Sequence, residues 1–140
     1  MNRINLITLG VRDITSSLRF YRDGLGFQTK AEEDPGIVFF QNNGTKLALY
    51  QLEELQKDIG EPGERGRFSG ITLAYNTKSE EEVDHVLLQA EKAGGTIVKP
   101  AERVFWGGYS GYFLDPDGYT WEVAYGEDWE FDEQDMLIIP

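Results

Sequence analysis

The chain of 140 residues contains no cysteine, which excludes disulfides, thiolate metal ligands and cysteine nucleophiles. Histidine is almost as scarce, because His85 is the one imidazole in the sequence. It lies in a helical segment but off the apolar stripe, so we expect an ordinary surface residue. No apolar run approaches the roughly 18 residues of a membrane-spanning helix, and the first residues lack the apolar core of a signal peptide. We therefore expect a cytoplasmic protein without a membrane partner.

Positive charge is also in short supply. Lys and Arg number 13 against 25 Asp and Glu, which gives a formal net charge of -12. This balance repels a phosphate backbone, so we expect no nucleic-acid partner. Six of the carboxylates lie between Glu127 and Asp135, in a tail over residues 127–140. The tail is interpreted either as a solvated acidic surface or as an acidic rim that attracts a cationic ligand.

What the sequence does contain is an internal repeat. The first half has a strand-like run (INLITLGV), a helical segment after the candidate cap Asp13, and two strands joined by an Asn-Asn-Gly turn. The second half repeats this order with GITLAYN, a helix capped by Ser79, and three strands in TIVKP and between Arg103 and Tyr125. We predict two βαβββ modules over about residues 1–55 and 70–126, joined by a Gly-rich linker over about 56–69.

The combination of LGVRDITSSLRFYRDGLGF with a second such unit ending in DPDGYTWEV resembles the vicinal oxygen chelate superfamily, the glyoxalase and bleomycin-resistance fold. The resemblance implies an α+β fold in which two tandem βαβββ modules form one curved, mixed, eight-stranded sheet with the helices outside. It also implies a homodimer, either side by side or with exchanged modules.

Enzymes of this superfamily bind a divalent metal with one residue from the first strand and one from the last strand of each module, typically His and Glu. The resemblance carries these positions onto Leu6, Ala48, Thr72 and Glu122. One carboxylate does not supply the several donors that zinc, magnesium or manganese sites need. We therefore expect neither a metal nor another cofactor.

The segment RVFWGGYSGYF crowds aromatic rings and glycines into a short stretch that suits a small-molecule site. Strand alternation predicts that Tyr112 points toward a cavity and Phe113 toward a helix. Together with the positions from the first and last strands, the predicted ligand-binding residues are Leu6, Thr8, Ala48, Thr72, Arg103, Trp106, Tyr109, Tyr112 and Glu122.

Glu122 lies in the middle of a strand-like run, and three interpretations of it stay open. It is a remnant of a metal-binding ancestor, hydrated or paired with a nearby Arg such as Arg103; it is a ligand anchor; or it is a catalytic general base. The predicted function is a metal-independent protein that binds an unknown small molecule. The alternatives are a glyoxalase-like enzyme (lyase, isomerase or dioxygenase type) that uses Glu122 as acid or base or holds a metal in an atypical way, and a purely structural module.

Overall fold

The computed structural model describes residues 1–60, 66 and 68–139, and the chain divides into two compact units, residues 1–66 and 67–140. Residues 61–65 and 67 of the predicted linker lie outside the described residues. The described residues of each unit form one mixed sheet, of three strands in unit 1 and four strands in unit 2.

Unit 1 contains strands β1 (Leu6–Val11), β2 (Ile37–Phe39) and β3 (Lys46–Gln51) in the order β1-β3-β2. Strand β1 runs parallel to β3, and β2 runs antiparallel to it. Helix α1 (Ile14–Arg19) begins after the predicted cap, because the Asp13 carboxylate accepts from the backbone N–H groups of Thr15 and Ser16. A π-helical turn over Phe20–Gly24 continues the helix. The core of the unit is formed by buried side chains of these elements, among them Leu9, Leu18, Tyr21, Val38 and Leu49.

The strand count of unit 1 differs from the prediction, since its described residues form three strands rather than four. Between α1 and β2, a single bridge from Thr29 to Phe40 takes the place of a further strand. The Thr29 hydroxyl donates to the Phe39 carbonyl and accepts from the Ala31 N–H. In a β-ladder these two backbone groups would bond to the backbone of a neighbouring strand, so the side chain competes with strand pairing here. Asp34, with a φ of 54°, then turns the chain before a ladder can extend.

Helix α2 (Leu52–Ile59) was not predicted, and it overlaps the start of the predicted linker. Its Leu52 and Leu55 side chains lie over Gly10 of β1, where an added Cβ would come within 2.7 Å of Leu52 Cδ1. Glu53 and Glu54 favour the first turn through the helix dipole, and Lys57 pairs with Glu54 at 2.6 Å. The helix therefore forms where two leucines meet a glycine of the sheet.

Unit 2 contains β4 (Thr72–Thr77), β5 (Thr96–Arg103), β6 (Gly108–Leu114) and β7 (Thr120–Gly126) in the order β4-β7-β6-β5. Strand β4 is parallel to β7, and the other pairs are antiparallel. Helix α3 (Glu80–Lys92) begins at Ser79, whose hydroxyl accepts from the Glu82 N–H as predicted. The Glu82 carboxylate accepts from the N–H of Lys78, the residue before the cap, so it fixes the chain that enters the helix.

Helix α3 packs against one face of the unit 2 sheet. Its Leu87 lies over Gly111, where an added Cβ would be 2.6 Å from Leu87 Cδ1. On the same face, the buried Phe113 and Trp121 rings are stacked at 6.0 Å. The prediction that Phe113 faces a helix is confirmed, and His85 is exposed on α3 as predicted.

The described part of the acidic tail, residues 127–139, belongs to unit 2. Phe131 and Leu137 form a β-bridge, and Asp132 Oδ1 accepts from two backbone N–H groups of the turn between them. Lys78 pairs with Asp135 and lies 5.6 Å from the centre of the Phe131 ring. The tail therefore carries exposed carboxylates on a fixed backbone. Within the described residues, no helix has the length and apolar character needed to cross a membrane.

Candidate functional site

A row of four paired residues crosses the unit 2 sheet at its centre. Lys99 of β5 pairs with Tyr112 of β6, Tyr112 pairs with Glu122 of β7, and Glu122 pairs with Ala74 of β4. Directly paired residues point to the same side of a sheet, and neighbours along a strand point to opposite sides. Because Phe113 faces α3, the row lies on the face opposite that helix.

Tyr112 and Glu122 are joined by a hydrogen bond. The Tyr112 hydroxyl donates to Glu122 Oε1 at 2.9 Å, and both side chains are half-buried. Burial raises the pKa of Tyr112, and the hydrogen bond to Glu122 and the charge of that carboxylate raise it further. The phenol therefore keeps its proton at neutral pH and stays the donor of the pair.

Lys99 stands at the other side of the Tyr112 ring, with Nζ 5.9 Å from the ring centre. The same Nζ lies 3.2 Å from Glu102 Oε1, so Lys99 forms an ion pair with another residue of β5. Sequence analysis missed Lys99, because β5 has register shifts between Ile97 and Lys99 and between Lys99 and Glu102. The signal available in the sequence was a basic residue directly after the apolar pair Ile97 and Val98.

Two residues expected beside Glu122 lie instead on the face that α3 covers. Tyr109 alternates with Tyr112, and its hydroxyl donates to Asp84 Oδ1 of α3 at 2.7 Å. Arg103 pairs with Tyr109 in the sheet, and its guanidinium lies 2.9 Å from Glu80 Oε1. Arg103 is therefore not the basic partner of Glu122.

Trp106 lies at the end of the face that carries Glu122. Its indole stacks on that of Trp129, with ring centres 5.6 Å apart and planes at 13°. The rings cover the paired glycines Gly108 and Gly126, where added Cβ atoms would fall 1.8 Å from Trp106 and 2.6 Å from Trp129. These glycines are four residues from Tyr112 and from Glu122, respectively, so alternation places them on the same face. Trp129 was not predicted as part of this surface.

The remaining predicted positions are placed within their own units. In unit 1, Thr8 is half-buried and pairs with the fully buried Ala48, while Leu6 is exposed at the start of β1. In unit 2, Thr72 is exposed and pairs with Thr120, one alternation step from Glu122. Thr72 therefore borders the row on its own sheet.

The residues at the four family metal positions do not fit a metal ion. Leu6 and Ala48 have no donor atom, Thr72 has a hydroxyl, and only Glu122 has a carboxylate, one oxygen of which accepts from Tyr112. Within residues 1–60, 66 and 68–139, no three His, Asp or Glu side chains lie close enough to hold a metal. Zinc and magnesium sites need several nitrogen or oxygen donors, which this set does not provide.

Residues 3–123 match the Glyoxalase/Bleomycin resistance protein/Dioxygenase superfamily, and the chain belongs to it. The resemblance seen in the sequence is thereby confirmed.

Among curated relatives, the chain is 32% identical to the metallothiol transferase FosB of Staphylococcus saprophyticus, over 88% of this chain and 76% of that protein. It is 27% identical to the glutathione transferase FosA of Serratia marcescens, over 90% of this chain and 82% of that protein. Among solved structures, a glyoxalase-related enzyme from Fulvimarina pelagi has 33% identity, a TM-score of 0.89 and coverage of 99% of both chains. The predicted α+β fold of the glyoxalase and bleomycin-resistance type is confirmed.

Proposed function

We propose that the protein binds a small organic molecule without a metal ion, on the face of unit 2 that carries Glu122. The observation that carries this proposal is the hydrogen bond from Tyr112 to Glu122 at the one family metal position that has kept a carboxylate. Both the absence of a metal and a cytoplasmic location stay predictions.

The surroundings of Glu122 favour a ligand anchor over a remnant that is paired with a basic residue. A carboxylate on a half-buried strand is costly unless its oxygens are hydrogen-bonded or its charge is paired. The nearby basic side chains are engaged elsewhere, Lys99 with Glu102 and Arg103 with Glu80. The Tyr112 hydroxyl supplies one hydrogen bond, whereas an ionised carboxylate has about four acceptor sites. Glu122 therefore retains acceptor capacity for a ligand.

The second candidate function is an enzyme in which Glu122 acts as acid or base. The specific observation in its favour is that Glu122 is hydrogen-bonded to a phenol, since a proton acceptor in direct contact with a donor is one arrangement for proton transfer. The names of FosB and FosA as transferases, and of the Fulvimarina pelagi protein as a glyoxalase-related enzyme, also support it. A binding protein and an enzyme would use the same face.

The proposal is tested by screening a small-molecule library against wild-type protein dialysed against a chelator, with ligand-detected NMR as the readout. We expect hits whose binding is weakened in Glu122→Gln, because the amide keeps the shape of the side chain and removes its charge. Elemental analysis should find no stoichiometric divalent metal, and adding Zn²⁺, Mn²⁺ or Mg²⁺ should not change the affinities. Turnover of any hit, with loss of turnover in Glu122→Gln, would select the enzyme.

Two results would contradict the proposal. One is about one metal ion per chain that is lost on Glu122→Ala, since a single carboxylate would then be part of an atypical site. The other is a set of hits that all bind wild type and Glu122→Gln equally.

A further inference from the structure

The Tyr112–Glu122 pair presents hydrogen-bond acceptors to a ligand and no donor. The phenolic proton of Tyr112 is directed at Glu122 Oε1, 2.9 Å away. A phenol has one proton to donate, and an ionised carboxylate has none. What remains on the pair is the lone pairs of the Tyr112 oxygen and of the Glu122 carboxylate. A ligand that bonds both residues must therefore supply the N–H or O–H groups itself.

The charges along the row are not balanced. Lys99 and Glu102 compensate each other at 3.2 Å. Glu122 forms no ion pair with any of the described residues, so the row keeps one uncompensated negative charge. The chain as a whole carries a net charge of -12, which adds a long-range attraction for cations and repulsion of anions.

We propose that the ligand of this face is an organic cation with at least two N–H donors, in the class of amidinium, guanidinium and primary ammonium groups. Its positive charge meets Glu122, while its N–H groups donate to Glu122 and to the Tyr112 oxygen. A planar fork of N–H groups suits this arrangement best, because such a fork bonds two neighbouring oxygens at once. This inference rests on the proposed function, since it requires that the Glu122 face binds a small molecule.

Four probes that share one ring separate charge from hydrogen bonding. Benzamidinium has both the charge and the N–H fork, benzyltrimethylammonium has the charge alone, benzamide has N–H groups without charge, and benzoate has the opposite charge. Isothermal titration calorimetry should show saturable binding of benzamidinium. Benzyltrimethylammonium and benzamide should each bind at least about tenfold more weakly, the factor expected when a hydrogen bond to a charged group is lost. Benzoate should not bind.

Two variants locate the binding. Glu122→Gln should weaken benzamidinium binding at least about tenfold, because the charge is lost where the fork bonds. The matched control is Glu91→Gln, which removes the same charge from an exposed position near the end of α3. This control should leave the dissociation constant within about twofold, since solvent screens a distant charge.

The outcomes distinguish this inference from the proposed function. The cation inference is overturned if benzamidinium shows no saturable binding at millimolar concentration, or if benzyltrimethylammonium binds as tightly. If an anionic or neutral library hit then depends on Glu122, the proposed function stands without it. If neither benzamidinium nor any hit depends on Glu122, both fail.

Discussion

The hydrogen bond between Tyr112 and Glu122 should contribute measurably to the stability of unit 2. The perturbation is a double-mutant cycle with Tyr112→Phe and Glu122→Ala, in which each single change removes the bond and the cycle cancels the other effects of each substitution. Phe keeps the ring that Lys99 approaches at 5.9 Å, so this change is confined to the hydroxyl.

The structure sets the magnitude of the coupling. A hydrogen bond to a charged group is worth about 1.5–3 kcal/mol, but water competes for two half-buried side chains, so we expect about 1 kcal/mol. For a chain of this length, that corresponds to a change in the melting temperature of about 3–4 °C. All three tryptophans (Trp106, Trp121 and Trp129) lie in unit 2, so tryptophan fluorescence during urea unfolding follows this unit specifically.

A second Tyr–carboxylate pair in the same unit serves as the control. The Tyr109 hydroxyl donates to Asp84 at 2.7 Å, which is shorter, but this pair is exposed on the α3 face. We expect the burial of a hydrogen bond, and not its donor–acceptor distance, to decide its coupling energy. The double-mutant cycle of Tyr109→Phe and Asp84→Ala should therefore give a coupling energy below about 0.5 kcal/mol. Equal couplings in the two cycles, or a coupling near zero for Tyr112 and Glu122, would refute the reasoning.

Three further predictions concern packing, pH and assembly. Gly111→Ala should destabilise unit 2 by about 1–3 kcal/mol in urea unfolding, because its Cβ would lie 2.9 Å from the Lys99 carbonyl oxygen and the Ala101 nitrogen; a stabilised variant would contradict the packing. The pKa of Tyr112 is raised in the folded state, so its contribution to stability is fully present below a pH of about 10, the ordinary tyrosine value, and is lost as the pH rises through the folded-state pKa. In Tyr112→Phe, the urea midpoint should therefore fall less steeply with pH above about 10. An unchanged slope would count against this explanation. We also propose a homodimer, since Ile138 and Ile139 of the tail are exposed, and light scattering at micromolar concentration that gives the mass of one chain would argue against it.

Much of the fold follows from local chemistry that the sequence displays. Asp13 and Ser79 begin their helices as predicted, because a short polar side chain before an apolar-periodic segment bonds the free N–H groups of the first turn. The turn at Asp115–Gly118 forms with Gly118 at a φ of 84°, which a residue with a Cβ rarely adopts. Alternation along β6 also separates Tyr112 from Phe113 correctly, because no bulge interrupts the pairing of β6 with β7.

The composition of the candidate site was decided by pairing between strands that lie far apart in the sequence. Lys99 lies opposite Tyr112 because a register shift after Ile97 displaces β5 against β6. Tyr109 faces α3 because it is three residues from Tyr112 along β6, and Arg103 is paired with Tyr109. Trp129 joins Trp106 because two paired glycines leave room for both indoles. A strand pattern repeats every two residues, so a shift of one residue moves a side chain to the other face, and no local signal in the sequence records that shift. The sequence by itself thus determined the two helix caps, the turn and the carboxylate at Glu122, whereas only the tertiary structure decided which groups surround that carboxylate.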